Sequence, residues 1–487
     1  MKKYLIISSC IGILFFSSCK KSFFEVNTNP NQPTAVALDQ VLAASLKVTA
    51  DRFTSGLEFA CMWNGHWATA AGYQPAADVF TYTFTNSYYQ GVFNTSYSNL
   101  TNYDYIEQTA TAGGQKFYLA IAKIMKVYVY HNLVDVYNDI PYSQALQINT
   151  FPTPKYDAGA SIYADLFIQL DAAIAALKTT SDPQPASTAD IVFGTSSDSK
   201  VQWIKLANTI KLKMLLRMSQ MTTKPTYYAA QTATVAAESN GFLTTSALVN
   251  PGYNNTANNK QNPFYATYGY SITGAPTGSF NYYKAHKYAI NFYNSTADNR
   301  LGKFYAPVSG TTYAGGDFGA TPVNPTSDIG SGLLASSSQS AVLLSSFESY
   351  FIQSEAAFRG MLPGADYKAL FKSGVTASYT YLGLSVPQAT AYYSQTTNAA
   401  VIAKVNIDAT TTPLATIINQ KWASINVINP LEPYADYRRL KLPVDLPGSV
   451  AVGTPIPNRL YYPLSENQSN ATNVPAATLT SKIFWQL

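Results

Sequence analysis

Along most of the chain, apolar residues recur every three or four positions, the spacing of one helix face. The clearest run is 114–134, where Phe117, Ile121, Ile124 and Tyr128 fall at i, i+4, i+7 and i+11. Apolar residues also fill the flanking faces, and Lys116, Lys123 and Lys126 share one polar stripe. A helix of this kind packs between neighbours. Residues 160–178 place Ile162, Leu166, Leu170 and Ile174 on one face; residues 201–218 do the same with Trp203, Leu206, Ala207, Ile210 and Met214. The pattern predicts further helices over 36–62, 342–360, 364–382 and 412–428. In "FRGMLPG", Gly360 suits a left-handed helix end and Pro363 blocks continuation, so the helices on either side form an antiparallel hairpin. Recurring hairpins predict an all-α fold with tetratricopeptide-like pairs, although no clean repeat consensus is present.

The helical period fails between about 241 and 340. "NPFYATYGYSITGAPTGSFNYYKAHKY" has turn residues every few positions and no sustained spacing. An ordered loop region of this length is usually functional, and its aromatic content argues against disorder. The expected organisation is helical repeats at about 36–240 and 342–428, a loop-rich insertion at about 241–340, and a Pro-rich segment over 429–487.

The start reads as an export signal. Lys2 and Lys3 precede an apolar stretch from Tyr4 to Phe16, too short for a spanning helix, and Ser17 and Ser18 precede Cys19. This ending resembles a bacterial lipobox. The resemblance implies a signal peptide over 1–18, lipidation of Cys19 and a tether over 19–35. Each buried CH₂ contributes about 0.8 kcal/mol, so several acyl chains hold a protein at a membrane almost permanently.

Composition narrows the function. The chain has 487 residues, of which 47% are hydrophobic and 12% charged, so burying a core is easy. The formal charge of +5 is spread without a basic block, which excludes nucleic acid as a partner. Three His and three Cys show no ligand spacing, so no metal site is expected. Cys10 lies in the leader and Cys61 has at most one partner, so no disulfide framework is readable. The excess is Tyr, at 37, beside 24 Phe and 5 Trp. Tyrosine has an apolar face and a polar tip, which suits wet contact surfaces as well as cores.

Catalytic constellations are missing. Asp135 and Asp139, in "HNLVDVYNDIPYSQAL", stand at i, i+4, as a paired acid and base would. A calcium loop starting there fails, because Ile140 occupies the position of the sharp-turn glycine. Pro141 ends the segment, and the simpler reading is a helix end where Asn138 and Asp139 bond local backbone in the turn. There is no Gly-x-Ser-x-Gly elbow, His-Glu-x-x-His or phosphate loop. His66, His131 and His286 are far apart and read as surface or satisfied core histidines. Arg438–Arg439, and Arg459 with Glu466, have the chemistry to clamp a carboxylate but read first as ion pairs pinning the Pro-rich tail.

Binding fits better. Rings stack on the C–H faces of sugars while amides bond the hydroxyls, and such pockets combine apolar rings with a few polar groups. "MWNGHWATAAGYQPAADVFTYTF" offers Trp63, Asn64, Trp67, Tyr73, Gln74 and Tyr82; the middle loop offers Tyr265, Tyr268, Tyr270, Tyr282 and Tyr283. A peptide ligand would use the same loops through backbone hydrogen bonds.

Several stretches, in order, resemble the SusD/RagB family of outer-membrane nutrient-binding lipoproteins of Bacteroidetes. They are the lipobox at Cys19, "FEVNTNPNQPT", "VYNDIPYSQAL" with "PKYDAGASIYADLFIQLDAAIAAL", "ADNRLGKFYAP", "SFESYFIQSEAAFRG", "EPYADYRRLKLP", "IPNRLYYPLSENQSN" and "KIFWQL". Asn299 stands where the family usually has proline, between Asp298 and Arg300. The resemblance implies a SusD-like domain over 36–487 with helical hairpins on one side and binding loops on the other. It also implies a non-enzymatic protein without cofactor, anchored at the outer membrane and facing the exterior. Its ligand would be an oligosaccharide or oligopeptide, passed to a partner TonB-dependent, SusC-like barrel transporter. Two alternatives remain: a surface polysaccharide hydrolase, and a tetratricopeptide scaffold without a small ligand.

Overall fold

The 3.6-residue spacing becomes a series of packed helices in the computed structural model, which describes residues 36–73 and 77–486. The leader, Cys19, the tether through 35 and Gln74 lie outside the described residues. The longer helices are α1 (Leu38–Thr54), α2 (Gly91–Gly113), α3 (Lys116–Tyr137), α4 (Gly159–Thr179), α5 (Ser199–Arg217), α6 (Tyr228–Ala237), α7 (Ser346–Phe358), α8 (Tyr367–Tyr381), α9 (Pro413–Ile425) and α10 (Leu431–Leu440). The pairs α2–α3, α4–α5 and α7–α8 pack as hairpins, giving a mostly helical, tetratricopeptide-like fold. The α2–α3 turn is closed by Gly114 at φ +70, where the amide of Gln115 reaches back to Ala110 O at 2.8 Å.

Two helices depart from the sequence pattern. The run expected over 36–62 breaks after Thr54, where Gly56 adopts φ +77 and Arg52 donates to the carbonyls of Ser55 and Gly56 at 3.3 and 3.0 Å; a short helix, Glu58–Trp63, follows. The start of 342–360 is strand β6 (Ala341–Leu344), paired with β4 (Ala247–Val249), rather than helix. A short apolar run suits either state, and the pairing partner decides it.

The main core runs through α1 to α5 and the middle loops, and a smaller one lies among Phe347, Phe351, Phe371, Val375, Tyr392 and Ile417. Arg300 ties the second core to the first. It pairs with Asp298 at 2.7 Å and donates to Gln420, Ser378 and Ser424 at 2.8, 3.1 and 2.6 Å. The Asp-Asn-Arg stretch thus keeps its ion pair around Asn299.

A buried ion network joins α3, α5, α7, α9 and α10. Arg217 donates to Asp135 at 2.9 Å and grips Glu432; Lys213 contacts Glu348 and Glu432 at 3.0 and 2.9 Å. Lys421 pairs with Glu432 and Asp436, and Arg439 with Glu355 and Asp436, the last at 2.7 Å. This settles the Asp135–Asp139 question. Asp135 belongs to the network and also accepts from Trp485 Nε1 at 2.9 Å, whereas Asp139 accepts from the amide of Gly159 at 2.9 Å, opening α4. The expected Arg459–Glu466 pair does not form. Arg459 stacks over Tyr462, 4.6 Å from the ring centre, and Glu466 accepts from Tyr156 at 2.8 Å.

Candidate functional site

Strand β1 (Trp67–Thr69) pairs antiparallel with β5 (Tyr283–Ala285), with Trp67 opposite Ala285 and Thr69 opposite Tyr283. This brings the loop after the first helices against the middle loop. The amide of Ala70 extends the contact by donating to Tyr282 O at 2.8 Å. On the far side of β5, Ala285 donates to Ser327 O at 2.9 Å and accepts from Gly316 at 3.0 Å. The approach is tight: a Cβ on Gly315 would stand 2.4 Å from the amide nitrogen of Lys287. Ala306 N, donating to Asp328 O at 2.9 Å, draws the 305–308 segment alongside.

These connections leave a cleft of about 470 Å³. Tyr73, Pro307, Val308 and Pro325 supply its apolar lining, and Asn281, Lys284, Thr326 and Asp328 its polar groups. Tyr73 is 41% exposed and packs edge-on to Tyr282 at 5.5 Å. The Thr326 hydroxyl is buried with no hydrogen-bond partner among the described residues. Lys284 pairs with Asp328 and donates to Phe280 O at 2.8 Å. The cleft is therefore close to electroneutral, with one aromatic platform and several hydroxyl-matching groups.

The expected aromatic residues divide. Tyr73, Tyr282, Tyr283, Trp67 and Tyr268 form a ladder of rings with successive centres 5.5, 4.9, 5.2 and 4.9 Å apart. Tyr73 stands at its open end, and Trp67 and Tyr268 lie buried at the other. Tyr265 and Tyr270 are half-buried neighbours with centres 6.0 Å apart, Tyr270 packing further on Phe280. Trp63 and Asn64 are core residues, not ligand platforms. Trp63 is 1% exposed against Phe59 and Tyr434, and Asn64 donates to Pro430 O at 2.7 Å. Tyr82 goes elsewhere: it packs on Trp63 and Phe318, accepts from the amide of Ser449 at 3.0 Å and lines a second cleft. Burial pushes its phenol up to about 12.

Sequence reasoning missed Asn281, Lys284, Thr326 and Asp328. Asn281 and Lys284 flank flagged tyrosines in "NYYKA" and were within reach of the pattern. Thr326 and Asp328 arrive only through the β5 contacts, which leave no periodic trace. Among the described residues, no group of His, Cys, Asp and Glu is arranged to hold a metal ion.

A family model described as starch-binding, associating with outer membrane (SusD-like) matches residues 30–463. The chain belongs to the SusD-like family. Solved structures agree on the fold. A chitin-binding SusD homolog from Flavobacterium johnsoniae is 19% identical with TM-score 0.76, covering 92% of this chain and 98% of its own. SusD homologs from Bacteroides uniformis and Bacteroides fragilis are each 22% identical, with TM-scores 0.74 and 0.75. They cover 92% and 93% of the SusD-like chain and 99% of their own. Comparison with curated proteins gives no match.

Proposed function

We propose that this SusD-like protein is a non-catalytic, cell-surface nutrient-binding lipoprotein of the outer membrane. It captures an oligosaccharide in the cleft between Tyr73 and Asp328 and delivers it to a TonB-dependent barrel transporter. The observation that carries the reading is the unpartnered Thr326 hydroxyl in the lining of the same cleft as the exposed Tyr73 ring. A buried hydroxyl left without a partner costs about 1–3 kcal/mol, a cost that a sugar hydroxyl would remove. The ring takes the sugar's C–H face, and Asn281 and Asp328 bond its remaining hydroxyls.

Two observations favour sugar over peptide. Strand addition needs an open edge, and β5 is already contacted by Ser327 and Gly316 on the side away from β1. The matching structure from Flavobacterium johnsoniae is named for chitin binding. A scaffold without a small ligand would bury its tyrosines against protein, unlike Tyr73.

Glycosidic hydrolysis needs two carboxylates roughly 5–9.5 Å apart across the bond. Among the described residues Asp328 is the single carboxylate lining this cleft, and Lys284 holds it. Incubating the purified protein with candidate glycans tests the reading. Retention in affinity electrophoresis without new reducing ends is expected; new reducing ends contradict it.

A further inference from the structure

A second cleft, of about 550 Å³, opens beside the end of α10. It is lined by the half-buried rings of Tyr82, Tyr437 and Tyr461 together with Asn458, Thr478 and Thr480. Among the described residues no carboxylate lines it, and Lys441 is the one charged lining residue.

Lys441 is unusual in two ways. Its backbone is left-handed at φ +55, a conformation that favours glycine at a helix end. Its ammonium lies 5.1 Å from the centre of the Tyr437 ring and makes no ion pair or hydrogen bond among the described residues. A lysine placed only for the helix dipole needs neither a ring beneath it nor a cleft in front of it. Lys441 is exposed at the cleft mouth, where partial burial, then the neighbouring charges of Arg438 and Lys482, hold its ammonium below the usual range. The first cleft differs in that its lysine is neutralised by Asp328.

We propose that this second cleft is a subsite for an acidic sugar residue, whose ring lies against Tyr437 or Tyr461 and whose carboxylate pairs with Lys441. Threonine hydroxyls and the Asn458 side chain around the cleft match the sugar's own hydroxyls. Tyr461 is backed by Phe84, with ring centres 6.0 Å apart. The ligand class rests on the glycan reading of the first cleft, whereas the choice of an acidic residue rests on Lys441, an exposed ammonium over the Tyr437 ring with no ion pair among the described residues.

Calorimetry with short oligogalacturonate and its carboxyl-reduced, neutral form tests the proposal. The wild type should bind the acidic form more tightly, with the difference shrinking as salt rises. Lys441→Gln should lower acidic-form affinity about tenfold while leaving the neutral form unchanged. Tyr461→Ala should weaken both, with an unaltered far-UV spectrum as the check on folding. No preference for the acidic form, or a preference that survives Lys441→Gln, overturns the proposal. The first cleft is read separately: if Tyr73→Ala leaves neutral-glycan binding unchanged, that reading fails and this one stands or falls on Lys441.

Discussion

The guanidinium of Arg217 grips the carboxylate of Glu432 through both terminal nitrogens, and both side chains are buried. The pair ties the end of α5 to the start of α10. Burial opposes the charge on Glu432, but Arg217 and then Lys213 prevail and hold its carboxyl well below the usual range. Without Arg217, Glu432 keeps Lys213 and Lys421, but Asp135 stays buried with no ion pair, and an uncompensated buried charge costs about 3–5 kcal/mol. Arg217→Met should therefore cut stability by that amount in denaturant unfolding.

Asp135→Asn with Asp139→Asn should act in the same way. The double variant weakens the acceptor for Arg217 and Trp485 and the bond that opens α4. The expected outcome is a clear drop in melting temperature with ligand affinity unchanged. A large loss of affinity at an unaltered melting temperature would contradict the structural role.

Acid should destabilise the protein well before its carboxylates titrate. Burial lowers His66 to about 3, with His286 adding to the effect; it lowers His131 to about 4, with Lys213 adding, and His286 to about 4. Unfolded histidine titrates near 6.5, so each contribution is complete above about pH 6.5 and is lost as pH falls toward 4. The slope is about 1.4 kcal/mol per pH unit for each histidine once below 6.5. Glu355 follows at lower pH: burial opposes its charge, but Arg439 prevails and holds it at about 2. His66 stacks on Trp422 at 4.6 Å, and neither ring nitrogen has a partner among the described residues. His66→Leu should thus flatten the stability profile between pH 7 and pH 5, measured by urea unfolding.

Thr326→Val separates stability from binding. Valine has the shape of threonine without the unpartnered hydroxyl, so the unliganded variant should be as stable as the wild type or slightly more so. Its glycan affinity should fall. Equal affinity in the two proteins would show that the hydroxyl does not meet ligand.

The helical frame was legible wherever apolar residues alone marked the buried face, as in α3 with Phe117, Ile121 and Ile124. Helix α2 was not, because Ser96 and Asn99 occupy its buried face beside Leu100 and Tyr103. Asn99 is buried only because Ser45 O and Thr49 Oγ1 receive its amide at 3.0 and 2.9 Å, partners that lie on α1. The site was half legible. Tyr73 lines the first cleft with Tyr282 packed edge-on against it, yet Trp63 and Trp67 look equally suitable in sequence and are core. What separates them is the β1–β5 register, which turns Trp67 toward Tyr268 and Tyr283. A pairing between distant segments has no local signature.

Glycan capture at the first cleft is tested most directly by titrating one oligosaccharide into the wild type, Tyr73→Ala and Tyr381→Ala. Tyr381 is a comparably exposed ring, at 40%, that packs on Phe347 of the helical pairs. A stacked ring is worth about 1 kcal/mol, so Tyr73→Ala should weaken binding about fivefold. Tyr381→Ala should bind as the wild type does, and the sugar should come back uncleaved from all three. Equal affinity in the wild type and Tyr73→Ala would contradict the account.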